Sequence, residues 1–220
     1  MKNQIILAAT LALSIVTSSC GKHRIKGEGS STSERRELAT FGSITANGST
    51  NITVHPSSTD YVVVHGYSNL VPVYETRVSD GRLILEFKRE YINVKNNNVT
   101  VDVYTTQAHR ATLNGSGNIR IESDQHSEYM NVDINGSGDI TIANNHFKAV
   151  NADVNGSGNI NGAACHADTL KAHISGSGNI SMNVANYLEA KISGSGNVNY
   201  WGQPVVGKIN ISGSGEVNRR

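Results

Sequence analysis

The strongest constraint on this chain is a phrase that occurs six times in its second half. An aliphatic residue, Asn or Ser, Gly-Ser-Gly, a polar residue and then Ile or Val begins at Leu113, Ile134, Val154, Ile174, Ile192 and Ile211. The bends are Gly115-Ser116-Gly117, Gly136-Ser137-Gly138, Gly156-Ser157-Gly158, Gly176-Ser177-Gly178, Gly194-Ser195-Gly196 and Gly213-Ser214-Gly215. Their first glycines are 21, 20, 20, 18 and 19 residues apart. A fixed interval near twenty marks a stacked repeat, in which each unit buries its apolar face on its neighbours.

Each bend is preceded by strict alternation, as in Met130-Asn131-Val132-Asp133-Ile134 and Leu170-Lys171-Ala172-His173-Ile174. That is the period-2 signature of a strand with one buried face. A second short strand follows, such as Asp139-Ile140-Thr141-Ile142. Glycines around one serine permit the positive φ and sharp reversal that β-branched residues resist. Identical phrases at constant spacing argue that each strand pairs with its copy in the next unit, rather than with its own sequel.

The expected fold is therefore all-β: a parallel β-helix of about 20 residues per coil with the Gly-Ser-Gly turns stacked into a ridge. Its hand is expected to be right, as crossovers between parallel strands favour. Three inward columns follow: Leu113, Ile134, Val154, Ile174, Ile192, Ile211; Ala111, Val132, Ala152, Ala172, Ala190, Ile209; and Ile119, Ile140, Ile160, Ile180, Val198, Val217. So much alanine predicts two sheets pressed close together. With strands about 4.8 Å apart, six coils make a rod roughly 24 Å long.

Residues 38–108 are strand-like but less regular, and residues 109–220 hold the six repeats. Ile44 to Val54 resembles a worn copy of the repeat, with Thr50 replacing the second glycine, and Asp80-Gly81 is a two-residue hairpin turn. Bulkier side chains in this part suit an end cap, which a solenoid needs because an open coil presents unpaired backbone. At the other end Tyr200-Trp201, Pro204 and Arg219-Arg220 are placed to close the second mouth.

Residues 1–19 have the make-up of an export signal, with Lys2 ahead of a short apolar stretch from Ile5 to Val16, too short to span a bilayer. Small residues then lead into Cys20, which resembles a bacterial lipoprotein signal; Thr17 stands where such signals carry leucine. Acylated Cys20 would be the membrane anchor; the alternative is a plain secretory signal. Residues 20–37 are polar, without an apolar period, and are expected to be a flexible tether with an end-to-end reach of about 20–25 Å. Without Lys2, basic and acidic residues balance at 18 each, which excludes the basic face that nucleic acid requires. If Cys20 carries lipid, Cys165 has no disulfide partner; His166 beside it lacks further ligands at metal spacing, so Cys165 is expected to be a core or turn residue and no metal or cofactor is expected.

Serine recurs in every bend but no histidine recurs beside it, and the phrase is not the Gly-x-Ser-x-Gly elbow. Nor do the bends match the calcium-binding nonapeptide repeat; Asn118, Asn159, Asn179 and Asn197 are instead expected to form a hydrogen-bonded ladder. One outward column carries chemistry: Asp133, Asp153, His173 and Lys191 occupy equivalent positions on successive coils. Two carboxylates one strand spacing apart fit glycoside hydrolysis, or calcium for a polysaccharide lyase. They fit equally a solvated face. Trp201 is either a sugar-stacking ring or a core plug.

From about Leu38 onward the chain resembles the putative auto-transporter adhesin, head GIN domain family of bacterial envelope proteins. The residues that carry this are Phe41-Gly42-Ser43-Ile44 with Asn51-Ile52-Thr53-Val54, the Ser79-Asp80-Gly81-Arg82-Leu83 turn and the six Gly-Ser-Gly units. The resemblance implies a β-helix similar in shape to pectin lyases but without their catalytic residues, serving in adhesion. The expected protein is non-enzymatic, held in the outer membrane through Cys20, with a glycan or protein ligand. The alternative is a carbohydrate-active enzyme using Asp133 and Asp153.

Overall fold

The computed structural model describes residues 23–122 and 128–220. The export signal and Cys20 lie outside the described residues. The body is a parallel β-solenoid whose strands form one continuous hydrogen-bonded system. All three inward columns stack in the expected register, Leu113 beside Ile134, Ile134 beside Val154, and onward to Ile211. Ile119, Ile140, Ile160, Ile180, Val198 and Val217 do the same on the second sheet. The interior is closed: Val132, Ile134, Ile140, Val150, Leu170 and Ile180 are all fully buried. Cutting one such isoleucine to alanine typically costs about 2–5 kcal/mol, so each column is a large share of the stability.

The coil at Gly136-Ser137-Gly138 shows why the bend is written this way. The N–H groups of Ser137 and Gly138 both donate to the Gly115 carbonyl one coil back, at 3.0 and 3.1 Å. Gly136 has φ +142°, and a Cβ there would overlap the Gly115 carbonyl oxygen. Gly138 does not have the positive φ that the sequence suggested for both glycines. It is glycine because a Cβ would strike the Gly117 carbonyl of the coil before and sit 2.8 Å from Leu113 Cδ2. One glycine is needed for backbone conformation and space, the other for space alone.

The order of coils in the stack differs from their order in the chain. Ser43–Gly48 lies between Arg82–Phe87 on one side and Arg110–Gly115 on the other, and Asn51–Pro56 lies between Thr100–Thr105 and Asn118–Ile121. The chain therefore makes its first coil, builds an outer one, then steps back across to continue the stack. The worn copy is in register, Asn47 beside Asn114 and Gly48 beside Gly115.

The outer end is capped by reversing strand direction. Tyr74–Ser79 pairs antiparallel with Arg82–Phe87 through the Asp80-Gly81 turn, where both residues have positive φ. Tyr61–Tyr67 pairs antiparallel with Thr100–Thr105. Phe41, Leu70 and Tyr74 fill the space beneath.

Two expectations are corrected. The supposed tether is ordered strand: His23–Lys26 pairs with Tyr91–Lys95, and Ser31–Glu37 pairs antiparallel with all of Tyr61–Tyr67. Its sequence lacks an apolar period because it is an edge strand that is mostly exposed. Backbone bonds hold it, together with Arg36, whose guanidinium donates to the Tyr74 and Val71 carbonyls at 2.7 and 2.8 Å. At the other end Tyr200-Trp201, Pro204 and Arg219-Arg220 do not cover the last coil of the described residues. Tyr200 is nearly buried, but it lies one coil in, beside Arg219. Beyond it Val205–Gly213 leaves Val205, Val206 and Ile211 exposed.

Candidate functional site

The outward side of the sheet containing Arg110–Gly115, Tyr129–Gly136 and His146–Gly156 is a polar face built from three parallel columns. Register fixes them, since outward residues repeat every second position and every coil. The first runs Arg110, Asn131, Asn151, Lys171, Glu189; the second Thr112, Asp133, Asp153, His173, Lys191; the third Asn114, Asn135, Asn155, Ser175, Ser193. The predicted column of Asp133, Asp153, His173 and Lys191 is thus brought together as the sequence implied.

Their side chains are organised differently from a catalytic pair. Arg110 Nη1 donates to Asp133 Oδ2 at 2.5 Å, and Thr112 Oγ1 donates to the same oxygen at 3.2 Å. Asp153 Oδ1 instead meets His173 Nδ1 at 3.1 Å. Arg110 lies on the coil before Asp133 and His173 on the coil after Asp153, so the two carboxylates are drawn in opposite directions. Each is committed to a partner, whereas a glycosidase pair must converge on one bond. Arg110, Asp153 and His173 stay some 40 % exposed, so these are surface contacts that order the face more than they stabilise the fold.

Two open depressions follow. One, of about 650 Å³, is bordered by Arg82, Arg110, Asp133 and Asn135. The other, of about 410 Å³, is bordered by Asn131, Asn151, Asp153, Lys171, His173 and Glu189. Both offer hydrogen-bond donors and acceptors; the first is lined mainly by polar surface, the second about equally by polar and apolar surface.

The ridge beside this face carries two amide ladders. The expected ladder of Asn118, Asn159, Asn179 and Asn197 is present and also takes in Asp139, with Nδ2 donations of 2.9 Å from Asn159 to Asp139, 2.9 Å from Asn179 to Asn159 and 3.2 Å from Asn197 to Asn179. It begins earlier than the sequence suggested, at Asn51, which accepts from Asn118 at 3.0 Å. A second ladder before the bends, Glu86, Asn47, Asn114, Asn135, Asn155, was missed. Its signal is the Asn that precedes Gly-Ser-Gly at Asn114, Asn135 and Asn155 and Gly-Ser-Thr at Asn47.

Among the described residues no group of three or more His, Cys, Asp or Glu converges to hold a metal ion. Cys165 is fully buried while adjacent His166 points outward, so the two cannot act together. Burial pushes the Cys165 thiol up to about 12, which suppresses thiolate chemistry. Trp201 is half-buried at the end of a strand, paired with Asn183.

The sequence profile of the family described as "Putative auto-transporter adhesin, head GIN domain" matches residues 40–204. The chain belongs to this family. Among solved structures it is similar to a putative adhesin from Bacteroides fragilis, with a TM-score of 0.73 and 18 % identity over 89 % of this chain and 99 % of that one. A putative lipid binding protein from Parabacteroides distasonis has a TM-score of 0.61 and 21 % identity over 90 % of this chain and 100 % of that one. A putative adhesin from the same species has a TM-score of 0.52 at 22 % identity, covering 90 % and 100 %. At these identities the likeness is one of fold. No curated protein matches the chain. The head GIN domain proteins are adhesin-like, which makes this an adhesin-type head of the cell surface or envelope.

Proposed function

We propose that this head is a non-enzymatic binding module that presents its polar face to a glycan or protein ligand, and is attached to the outer membrane through lipid on Cys20. The observation that carries the binding reading is the pairing of Arg110 with Asp133 and of His173 with Asp153. These contacts hold charged groups in a fixed array across four coils, with Lys171, Glu189 and Lys191 beside them. A rigid array recognises a repeating polymer at small entropic cost, because its side chains are already ordered.

The test is a glycan array probed with the full chain and with Arg110→Gln and Lys171→Gln. Binding by the wild type that weakens about tenfold or more in both variants supports the reading. Turnover of an acidic polysaccharide that is abolished by Asp153→Asn would replace it with the carbohydrate-active enzyme. For the anchor, Cys20→Ala should move the protein from the membrane to the soluble fraction; unchanged fractionation rejects lipid attachment.

A further inference from the structure

The strand pair His23–Lys26 and Tyr91–Lys95 forms a small sheet apart from the solenoid. Its inward side chains, Ile25 and Val94, pack against the core. Its other groups are unusual for this near-neutral chain. Arg24, Lys26, Lys88, Arg89 and Lys95 are all exposed, against only Glu28 and Glu90 in the same segments. None of the five cations makes a side-chain hydrogen bond or ion pair among the described residues, whereas most other arginines do. Beside them Ile92 is 57 % exposed, and the half-buried Tyr91 ring lies 6.1 Å from His23.

We propose that this flap is a membrane-contact surface, on which the basic side chains meet the headgroups of an anionic phospholipid bilayer while Ile92 and Tyr91 enter the interfacial layer. Charge complementarity favours this occupant, since unpaired cations around one exposed aliphatic side chain are what a bilayer surface attracts. Position favours it too. His23 follows Cys20 by three residues, a span of at most about 11 Å, so no long tether separates the flap from a lipid there. The inference does not require that lipid, so its failure and that of the anchor are read separately.

The test uses the full chain carrying Cys20→Ser and Ile92→Cys, labelled at residue 92 with an environment-sensitive fluorophore; buried Cys165 stays unlabelled. Titration with phosphatidylglycerol-containing vesicles should shift the emission to the blue, and pure phosphatidylcholine vesicles should not. Replacing Lys88, Arg89 and Lys95 together with Gln should weaken the anionic-vesicle titration about 100-fold, at roughly fivefold per basic side chain. A blue shift of the same midpoint in the triple variant overturns the proposal, because the leader alone would then be responsible. An emission that stays water-like in anionic vesicles overturns it as well. So does a shift given equally by a soluble acidic polysaccharide without vesicles, which would make the flap a polymer site.

Discussion

Asn159 Oδ1 accepts two hydrogen bonds from Asn179 on the next coil, from Nδ2 at 2.9 Å and from the backbone N–H at 3.1 Å. The same double contact joins Asn179 to Asn197 and Asp139 to Asn159. The ladder therefore does more than line up side chains: it satisfies the N–H that follows each bend, where no backbone partner stands opposite. Asn159→Ala leaves the Asn179 N–H and amide without their acceptor, at a cost of about 1–3 kcal/mol. The melting temperature should fall by several degrees, at roughly 2–4 °C per kcal/mol for a chain of this size. Asn197→Ala gives up its own donation to Asn179 but strands only one donor, the exposed Glu216 N–H, and should cost less. Equal losses at both positions would contradict this account.

The two glycines of a bend separate conformation from space. Gly138→Ala puts a methyl group into the Gly117 carbonyl in the middle of the stack, where neither neighbour can give. The coils must part, and the protein should fail to fold or lose more than about 3 kcal/mol, at the upper end of overpacking costs. Gly48→Ala is the control. Its φ is +106°, but a Cβ there meets nothing within 4 Å, so only backbone strain of about 1–2 kcal/mol applies. Chemical denaturation of the two variants measures the difference directly.

The columns were legible because a one-sided strand advertises its face every second residue, and because the twenty-residue interval places copy over copy. Leu113 above Ile134 required nothing more. What the sequence hid has three physical sources. Ser31–Glu37 carries no apolar stripe, since an edge strand mostly exposed to solvent gains order from backbone bonds and from Arg36, and neither leaves a pattern. The displacement of Arg82–Phe87 to the outside of Ser43–Gly48 is a choice among equivalent stacking partners, visible only indirectly in Thr50, where no earlier Gly-Ser-Gly turn demands a second glycine. And register places Asp133 beside Asp153 without saying which way the carboxylates turn; Arg110 and His173 decide that.

Arg36 should matter more than its place on an edge strand suggests. Its side chain is only 18 % exposed, and it bonds two backbone carbonyls of the Val71–Tyr74 turn as well as Glu34. Arg36→Met keeps the length and removes the donors, leaving the Val71 and Tyr74 carbonyls short of partners. The expected loss is about 2 kcal/mol, within the range for hydrogen bonds to a charged group. Faster amide exchange should be confined to Ser31–Glu37 and its partner Tyr61–Tyr67. Exchange that spreads instead through the Gly-Ser-Gly coils would show that this strand is integral to the whole stack.

Cys165 gives the protein an alkaline limit whose sign is fixed by burial. Burial pushes the folded thiol up to about 12 from its ordinary value of 9.0, so between those values the unfolded chain ionises while the folded one stays protonated. The unfolded state then binds fewer protons, and stability falls as pH rises above 9; below 9 the contribution is fully present. Tyr74, whose phenol is likewise raised by burial, adds a similar loss only above its ordinary value of 10. Melting temperatures at pH 8.5 and pH 10 should therefore drop in the wild type and drop less in Cys165→Ala, despite that variant's lower starting stability. Iodoacetamide should leave Cys165 unmodified in the folded protein and alkylate it in denaturant. Rapid alkylation without denaturant would mean that the strand around Cys165 opens readily, and the solenoid core would then be looser than its fully buried aliphatic columns imply.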